Sequence, residues 1–292
     1  MFSIIVCSIN PKMLHELEDN IRLTIGCDYE IIAVDNREKC WPIAKVYNYG
    51  AERSRYPYLF FVHEDVVFYS SNWGKIIGDK LSEPDCGVIG FVGTKAMLKC
   101  YSGWYLRNEW TVSHFCQRDT AMNKAFWNVS NAYLDVPFEE VVALDGFGLF
   151  VKKQIWVNNP FDEKLLTGFH CYDVDFSLHV ARKYKNYVCT AYEVVVEHVS
   201  KGSLNEEWYK STIELYQSKW KYLLPMSVEG MNLNPVKVKL EEERQYYNFL
   251  CKIMKYNFEK KRIVLNEFWN LPFTWKHFRH CVACTMKYLK SW

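Results

Sequence analysis

The first 92 residues alternate between short apolar runs and segments with helical spacing, and this alternation constrains the fold more than any other feature. The apolar runs are 2–7, 29–34, 58–62 and 87–92, and the helical patterns occupy 11–25, 43–54 and 73–82. Strands and helices that alternate at this spacing are typical of βαβ units. The sequence therefore predicts an α/β protein with a mainly parallel central sheet flanked by helices.

Polar residues follow three of these predicted strands directly. Ser8 ends the first run, Asp35 ends the second, and His63-Glu64-Asp65 follows the third. Ligands of open parallel sheets bind beyond the carboxyl ends of the strands. We expect these side chains to line one crevice.

Composition narrows the class of protein. The 292 residues are 49% hydrophobic and 24% charged, so the chain can bury a large core and is not predicted to be disordered. The formal net charge of +2 gives no general attraction to nucleic acid. The charge is uneven, because residues 237–292 contain twelve Lys or Arg against five Asp or Glu.

The eleven cysteines are an odd number scattered singly, which is typical of reduced thiols in a reducing compartment. One CxxC pair, Cys281 and Cys284, has no second pair to complete a zinc site, and we interpret both as buried thiols. The N-terminus lacks the pattern of a signal peptide, and no run is long enough to span a bilayer. We predict a cytoplasmic protein, with peripheral contact at the inner face of the membrane as a further option.

Asp65 is a candidate metal ligand. Carboxylates at a strand end can hold a divalent cation against phosphates, and the cation neutralises charge on a leaving diphosphate. Acidic residues after a strand are also common turn formers, so both interpretations stay open.

Asp173 lies where a helical pattern begins, in Tyr172-Asp-Val-Asp-Phe-Ser177. It can be the N-cap of that helix, or a general base that accepts a proton from an acceptor hydroxyl. Asp175, two residues later, faces elsewhere on the helix.

Two further residues have alternative interpretations. His198 follows a strand, where it is either a structural residue or a ligand of a transition metal such as manganese. Asp145 precedes Gly146 inside an apolar run, where it either caps a local turn or hydrogen-bonds a sugar or acceptor hydroxyl.

Taken in order, these features resemble the family 2 type of GT-A glycosyltransferases, in particular bacterial members with a His-x-Asp-Val variant of the Asp-x-Asp motif. The stretches that carry the resemblance are 3–8, 32–36, 61–66, 88–93, 144–148, 172–177 and 197–203. The resemblance covers residues 2–203 and implies the GT-A fold of nucleotide-diphospho-sugar transferases.

The resemblance also implies roles for individual residues. Ser8, Asp35 and Glu64 are assigned to the donor nucleotide, Asp145 and Gly146 to the sugar or acceptor, Asp65 and His198 to Mn²⁺ or Mg²⁺, and Asp173 to general base catalysis. His63 stands where the usual motif has its first aspartate, which departs from a two-carboxylate metal site. The implied reaction transfers a sugar from a UDP- or GDP-linked donor to a glycan or lipid-linked acceptor, with inversion at the anomeric carbon.

The resemblance predicts a catalytic domain at 1–204 and a helical C-terminal extension at 205–292. Aromatic and basic residues are mixed in the extension; the aromatic ones towards its end include Trp269, Phe273, Trp275, Phe278 and Trp292. Such a segment can contact an anionic membrane, pack on the catalytic domain or form a homodimer interface.

The sequence leaves two other functions open. A sugar nucleotidyltransferase uses a similar sheet, but it usually has a glycine-rich loop after the first strand, where this chain reads Ser8-Ile-Asn-Pro-Lys12. A catalytically inactive carbohydrate-binding protein could retain the fold while His63 replaces a metal ligand.

Overall fold

The structure is a computed structural model, and it describes residues 1–119, 122–133, 135–199, 202, 204–257, 259–271 and 274–290. Five residues named above or within the 197–203 stretch, Ser200, Lys201, Ser203, Phe273 and Trp292, lie outside this described part.

The strands are β1 (Phe2–Ser8), β2 (Tyr29–Asp35), β3 (Tyr58–His63), β4 (Val66–Phe68), β5 (Cys86–Gly90), β6 (Val92–Thr94), β7 (Ala96–Met97), β8 (Thr111–Asp119), β9 (Lys124–Ser130), β10 (Phe138–Val141), β11 (Ala143–Leu144), β12 (Gly148–Lys152), β13 (Lys185–Cys189), β14 (Val196–His198) and β15 (Met226–Ser227).

The helices are α1 (Pro11–Thr24), α2 (Ile43–Arg53), α3 (Trp73–Ser82), α4 (Lys153–Asn158), α5 (Tyr172–Val180), α6 (Glu206–Leu215), α7 (Lys221–Leu223), α8 (Pro235–Ile253), α9 (Lys261–Trp269) and α10 (Trp275–Lys290). A π-helical turn, Tyr216–Trp220, joins α6 to α7.

Seven strands form the central sheet in the order β10-β13-β5-β12-β3-β1-β2. β1 is parallel to β2 and β3, and β13 is parallel to β5. β12 runs antiparallel to its neighbours β3 and β5, and β10 is antiparallel to β13. β1, β2, β3, β5 and β13 therefore run in one direction, and the predicted α/β fold with a mainly parallel sheet is confirmed.

Strand alternation explains why helices cover both faces of this sheet. Successive side chains of a strand point to opposite faces. Ile4 and Val6 accordingly pack in the core on one face, whereas Ile5 packs in the core on the other. Both cores are apolar, and each needs a covering layer of helices.

The first helix begins as the sequence predicts. The side chain of Asn10 accepts hydrogen bonds from the backbone N–H groups of Lys12 and Met13, and Pro11 occupies the first helical turn. Gly26 follows the helix with a positive φ of 71°, a conformation that glycine adopts without steric cost.

A second sheet, β11-β6-β8-β14-β4 with β9 paired to β8, lies at the edge where the site forms. Its longest strands, β8 and β9, form an antiparallel hairpin in the region where the sequence shows weak periodicity. The cause is visible in β9, whose residues are almost all exposed, so no apolar alternation marks the strand.

The C-terminal segment packs on the body of the protein. Asp175 of α5 is buried and accepts hydrogen bonds from Lys219 Nζ at 2.9 Å and Trp220 Nε1 at 3.0 Å. One apolar core contains Phe61 from the sheet together with Ile213 and Phe249 from the extension. The domain boundary at 204 stays a prediction.

The hydropathy of the helices bears on membrane contact. Throughout the described residues, none of the helices combines the length and the apolar character that crossing a membrane requires.

Candidate active site

The carboxyl ends of β1, β2 and β3 lie side by side. Ser8 is opposite Asp35 in the β1–β2 pairing, and Cys7 is opposite His63 in the β1–β3 pairing. The register therefore brings the first three predicted polar positions to one edge of the sheet, as the parallel arrangement requires.

Three potential metal ligands converge beside this edge. His63, Asp65 and His198 each place one ligand atom within 4.8 Å of the other two. Nε2 of His198 lies 3.6 Å from Oδ1 of Asp65, and both side chains are about nine-tenths buried. Asp65 and His198, predicted together from positions 133 residues apart, are brought together by the fold.

The second sheet fixes the position of His198. β14 lies between β4 and β8, so His198 is opposite Val66. Its imidazole stacks on Phe147 with ring centres 4.7 Å apart and planes at 9°. The amide of Gln117 donates to the His198 carbonyl at 2.9 Å. Ring and backbone are thus both held before any ligand binds.

His63 is held by Tyr172, at 2.8 Å between Nε2 and the hydroxyl oxygen. The hydroxyl donates its single proton to the carbonyl of Gly146 at 3.0 Å. It therefore accepts from Nε2–H of His63, and the lone pair of the neutral ring is left on Nδ1. Burial, followed by the nearby His198, lowers the pKa of His63 to about 4, so the ring is neutral at neutral pH.

Gly146 makes this contact sterically feasible. A Cβ at this position would lie 2.2 Å from the Tyr172 hydroxyl and 2.5 Å from the ring carbon that bears it. The predicted role of Gly146 in sugar or acceptor binding stays a prediction. The structure gives it a definite second role, which is to admit Tyr172.

The donor set fits a divalent transition metal. Across the described part of the chain, Nε2 of His198 is among the few buried side-chain atoms that make no hydrogen bond. Two imidazoles and one carboxylate suit Mn²⁺ better than Mg²⁺, which prefers oxygen ligands. His63 would offer a nitrogen ligand where the usual motif offers an oxygen.

A cavity of about 670 Å³ opens onto the two histidines of this cluster. His63 and His198 line it together with Asp145, Gly146 and Asp173. Four side chains and one glycine, from four parts of the sequence, therefore face one space, which is large enough for a drug-sized ligand.

Asp173 is the second residue of α5, and Cys171 occupies the N-cap position. The N-cap interpretation of Asp173 is therefore wrong. Burial, and next the negative charge of Asp145, raise the pKa of Asp173 to about 7, against the lowering effect of backbone hydrogen bonds from Val174, Asp173 and Gly146. A carboxylate with this pKa is suited to accept and release protons near neutral pH.

Asp145 caps the local turn, as one of its two interpretations predicts, and its role in sugar or acceptor binding stays a prediction. Oδ1 accepts a hydrogen bond from the backbone N–H of Phe147 at 3.1 Å, which caps the turn at Gly146. Oδ2 accepts from the indole N–H of Trp104 at 2.8 Å. The carboxylate also lines the cavity, and its charge is one cause of the raised pKa of Asp173.

The predicted donor residues lie beside the cavity rather than in its described lining. Oε2 of Glu64 accepts from Ser8 Oγ at 2.7 Å, and the same carboxylate accepts from the backbone N–H groups of Ile9 and Asn10. Glu64 therefore holds the loop between β1 and α1. Its predicted contact with the nucleotide stays a prediction, as does that of Ser8.

Asp35 is exposed at the end of β2. Its carboxylate accepts hydrogen bonds from the Arg37 side chain, with 2.9 Å from Nε to Oδ1 and 2.5 Å from Nη2 to Oδ2. These bonds lower the pKa of Asp35 to about 2. A nucleotide base that binds Asp35 must share this carboxylate with Arg37.

The sequence does not predict three parts of the site. His63 departs from the usual motif and is not predicted as a ligand, although its spacing of two residues from Asp65 is a signal for a shared side of an extended chain. Tyr172 carries no pattern except its position before Asp173. The third part is one wall of the cavity, where Trp208 of α6 joins Arg244, Asn248 and Lys252 of α8.

Both the sequence and the fold resemble known proteins. The profile of the "Glycosyltransferase like family" matches residues 3–221. No curated protein matches the chain.

Two solved structures of TarS residues 1–349 from S. aureus are similar in fold. The complex with UDP-GlcNAc is 11% identical, covers 99% of this chain and 88% of its own, and has a TM-score of 0.53. The complex with UDP is 12% identical, covers 99% and 80%, and has a TM-score of 0.50. At these identities the similarity concerns the fold alone.

Proposed function

Because this chain belongs to the glycosyltransferase-like family matched over residues 3–221, we propose that it transfers a sugar from a UDP-linked donor to an acceptor hydroxyl with inversion. The chain is a glycosyltransferase, and a nucleotide sugar is its donor class. The observation that supports the proposed transfer reaction is the convergence of His63, Asp65 and His198 next to the cavity that Asp173 lines. The neighbouring TarS structures contain UDP-GlcNAc and UDP, which favours UDP over GDP.

His63, Asp65 and His198 would hold Mn²⁺. When bound, the cation supplies positive charge to the donor diphosphate, which stabilises the nucleoside diphosphate as a leaving group. Burial, followed by His198, keeps His63 neutral at neutral pH, and Tyr172 holds the remaining proton on Nε2, so that the lone pair on Nδ1 is available.

Asp173 acts as the general base. Its carboxylate accepts the proton of an acceptor hydroxyl while that oxygen forms a bond to the anomeric carbon of the donor sugar. The bond between this carbon and the diphosphate oxygen breaks, and its electron pair leaves with the nucleoside diphosphate. Attack from the side opposite the leaving group inverts the anomeric configuration.

The cavity wall from the C-terminal extension suits the acceptor. Trp208 offers an apolar ring face, while Asn248 and Lys252 offer hydrogen-bond donors on one face of α8. This combination is typical of sugar recognition, where ring faces stack and hydroxyls are hydrogen-bonded. We propose a glycan or lipid-linked glycan as the acceptor.

A thermal-shift experiment tests the donor and the metal together. UDP should raise the melting temperature in Mn²⁺ and much less in EDTA, because ligands that bind only the folded state stabilise it. Equal stabilisation in both conditions would contradict the metal site. A lack of response to UDP and GDP in both conditions would contradict the proposed donor.

A second experiment separates chemistry from binding. Asp173→Asn should reduce transfer, or slow hydrolysis of a UDP-sugar without acceptor, by at least about a hundredfold while UDP affinity is retained. Release of pyrophosphate from a nucleoside triphosphate would instead identify a nucleotidyltransferase. Carbohydrate binding without any hydrolysis would identify an inactive relative.

A further inference from the structure

The last helix, α10, has two apolar faces although it packs on the protein through only one. His277, Cys281 and Cys284 are buried on the inner face. A second row, Trp275, Val282, Met286 and Leu289, faces outward with exposures of 70%, 37%, 56% and 67%. We refer to these four residues as the outer stripe. Single exposed apolar residues are common, but a continuous row along one helix indicates an interaction surface.

The outer stripe is narrow and lies opposite the packed face. At about 100° per residue, its four members fall within an arc of roughly 60°. On the same scale, His277, Cys281 and Cys284 lie about 120° to 180° from Trp275. Trp269 of α9 extends the apolar surface; it is 41% exposed and donates from Nε1 to Thr285 Oγ1 at 3.1 Å.

Four basic residues flank the outer stripe on one side. Arg279, Lys290, Lys276 and Lys287 lie about 40° to 120° from Trp275 in the same rotational sense. All four are exposed. The sequence of α10 contains no Asp or Glu, so the helix provides no negative charge that would neutralise this flank.

We propose that α10 binds to the surface of an anionic membrane. The outer stripe would lie among the lipid chains, and the four basic residues beside it would contact the headgroups. Exposed tryptophan and leucine on one side and lysine or arginine beside them are the properties of interfacial helices. The charge complementarity favours anionic lipid over a second copy of the chain. A second copy would bring four further cations and no α10 carboxylate to the contact.

The packing of α10 on α8 connects the proposed membrane contact to the cavity. His280 of α10 lies 3.1 Å from Glu243 of α8, between Nδ1 and Oε1. The next residue of α8, Arg244, lines the cavity. A membrane-bound α10 therefore holds the cavity close to the lipid surface.

The experiment is flotation of the full chain with vesicles. Equimolar phosphatidylcholine and phosphatidylglycerol should bind the protein, and phosphatidylcholine alone should bind it at least about tenfold more weakly, since each basic residue contributes roughly a fivefold preference at low ionic strength. Binding to both vesicles alike, or to neither, would overturn the proposal.

Matched variants locate the contact. Met286→Glu with Leu289→Glu should reduce binding at least about tenfold, whereas Leu23→Glu on α1, where Leu23 is 73% exposed, should leave it unchanged. Arg279→Glu with Lys290→Glu should abolish the preference for the anionic vesicles. Equal binding by all variants would overturn the assignment to α10.

The same samples distinguish the alternatives. The two double variants alter exposed side chains, so their melting temperatures and their response to UDP should match those of the unsubstituted chain. Sedimentation should give one species for every variant. A dimer that the outer-stripe variant dissociates, in a protein that does not float with vesicles, would assign α10 to a homodimer interface instead.

Discussion

Nε2 of His63 lies 2.8 Å from the hydroxyl of Tyr172, although the two residues are 109 positions apart. The first ends β3 and the second begins α5. Their contact links the cluster of potential metal ligands to the helix that carries Asp173. It fixes the orientation and the proton position of His63 at the same time.

Tyr172→Phe tests this link. The substitution keeps the ring and removes the hydroxyl, so we expect affinity for Mn²⁺ in the presence of UDP to fall about 10–100-fold, as for other partners that orient metal ligands. Calorimetric titration measures the affinity. Tyr187→Phe, in the apolar core away from the cavity, is the control and should retain it. Unchanged affinity in Tyr172→Phe would show that His63 needs no such support.

His198→Ala tests the cation site itself. The variant removes an imidazole that is stacked on Phe147, so we expect the Mn²⁺-dependent stabilisation by UDP to disappear from the thermal-shift profile. His114→Ala removes another buried imidazole, from β8, and should lower the melting temperature without changing the metal dependence. The same loss in both variants would point to a general packing effect.

The raised pKa of Asp173 predicts a pH-dependent cost in stability. The folded state holds this proton up to a pKa of about 7, whereas an unfolded aspartate loses it near its ordinary value. Ionisation therefore costs folding free energy as the pH rises from about 4 to 7. The difference in melting temperature between Asp173→Asn and the unsubstituted chain should therefore be more favourable to the variant at pH 8 than at pH 5, by at least about 2 °C. A pH-independent difference would contradict the assigned pKa shift.

Asp145→Asn tests the electrostatic coupling between the two carboxylates. After burial, the charge of Asp145 is the next cause of the raised pKa of Asp173, so the substitution should lower that pKa. The acid limb of the transfer rate, which falls below a pH of about 7 as the base is protonated, should move to lower pH. The pH profile of kcat/KM measures this movement. An unshifted limb would place the limiting ionisation elsewhere.

Ser8→Ala and Glu64→Ala distinguish support of the loop from direct nucleotide binding. Glu64 accepts from Ser8 and from two backbone N–H groups, whereas Ser8 makes one bond to it. Loss of Glu64 should cost about 1–3 kcal/mol of unfolding free energy, measured by urea denaturation, and loss of Ser8 about 1 kcal/mol. A weaker donor affinity in Ser8→Ala at nearly unchanged stability would support direct contact with the nucleotide.

The sequence by itself determined the strand order along the chain and the edge at which the site forms. The apolar runs and their spacing require βαβ units, and parallel strands place Ser8, Asp35 and His63 at one edge. It also indicated Asp65, Asp173 and His198 as separate candidate site residues, because each of them follows a strand or lies at the start of a helix. These are local properties, set by propensity and periodicity within a few residues.

Only the tertiary structure decided which of these side chains meet. Tyr172 reaches His63 because Gly146 has no Cβ, and no local pattern connects three positions so far apart in the chain. The exposed strand β9 and the cavity wall from α8 depend on long-range packing rather than on periodicity. The second apolar face of α10 becomes visible only when the fold shows which face is covered, since periodicity alone does not identify the partner of a face.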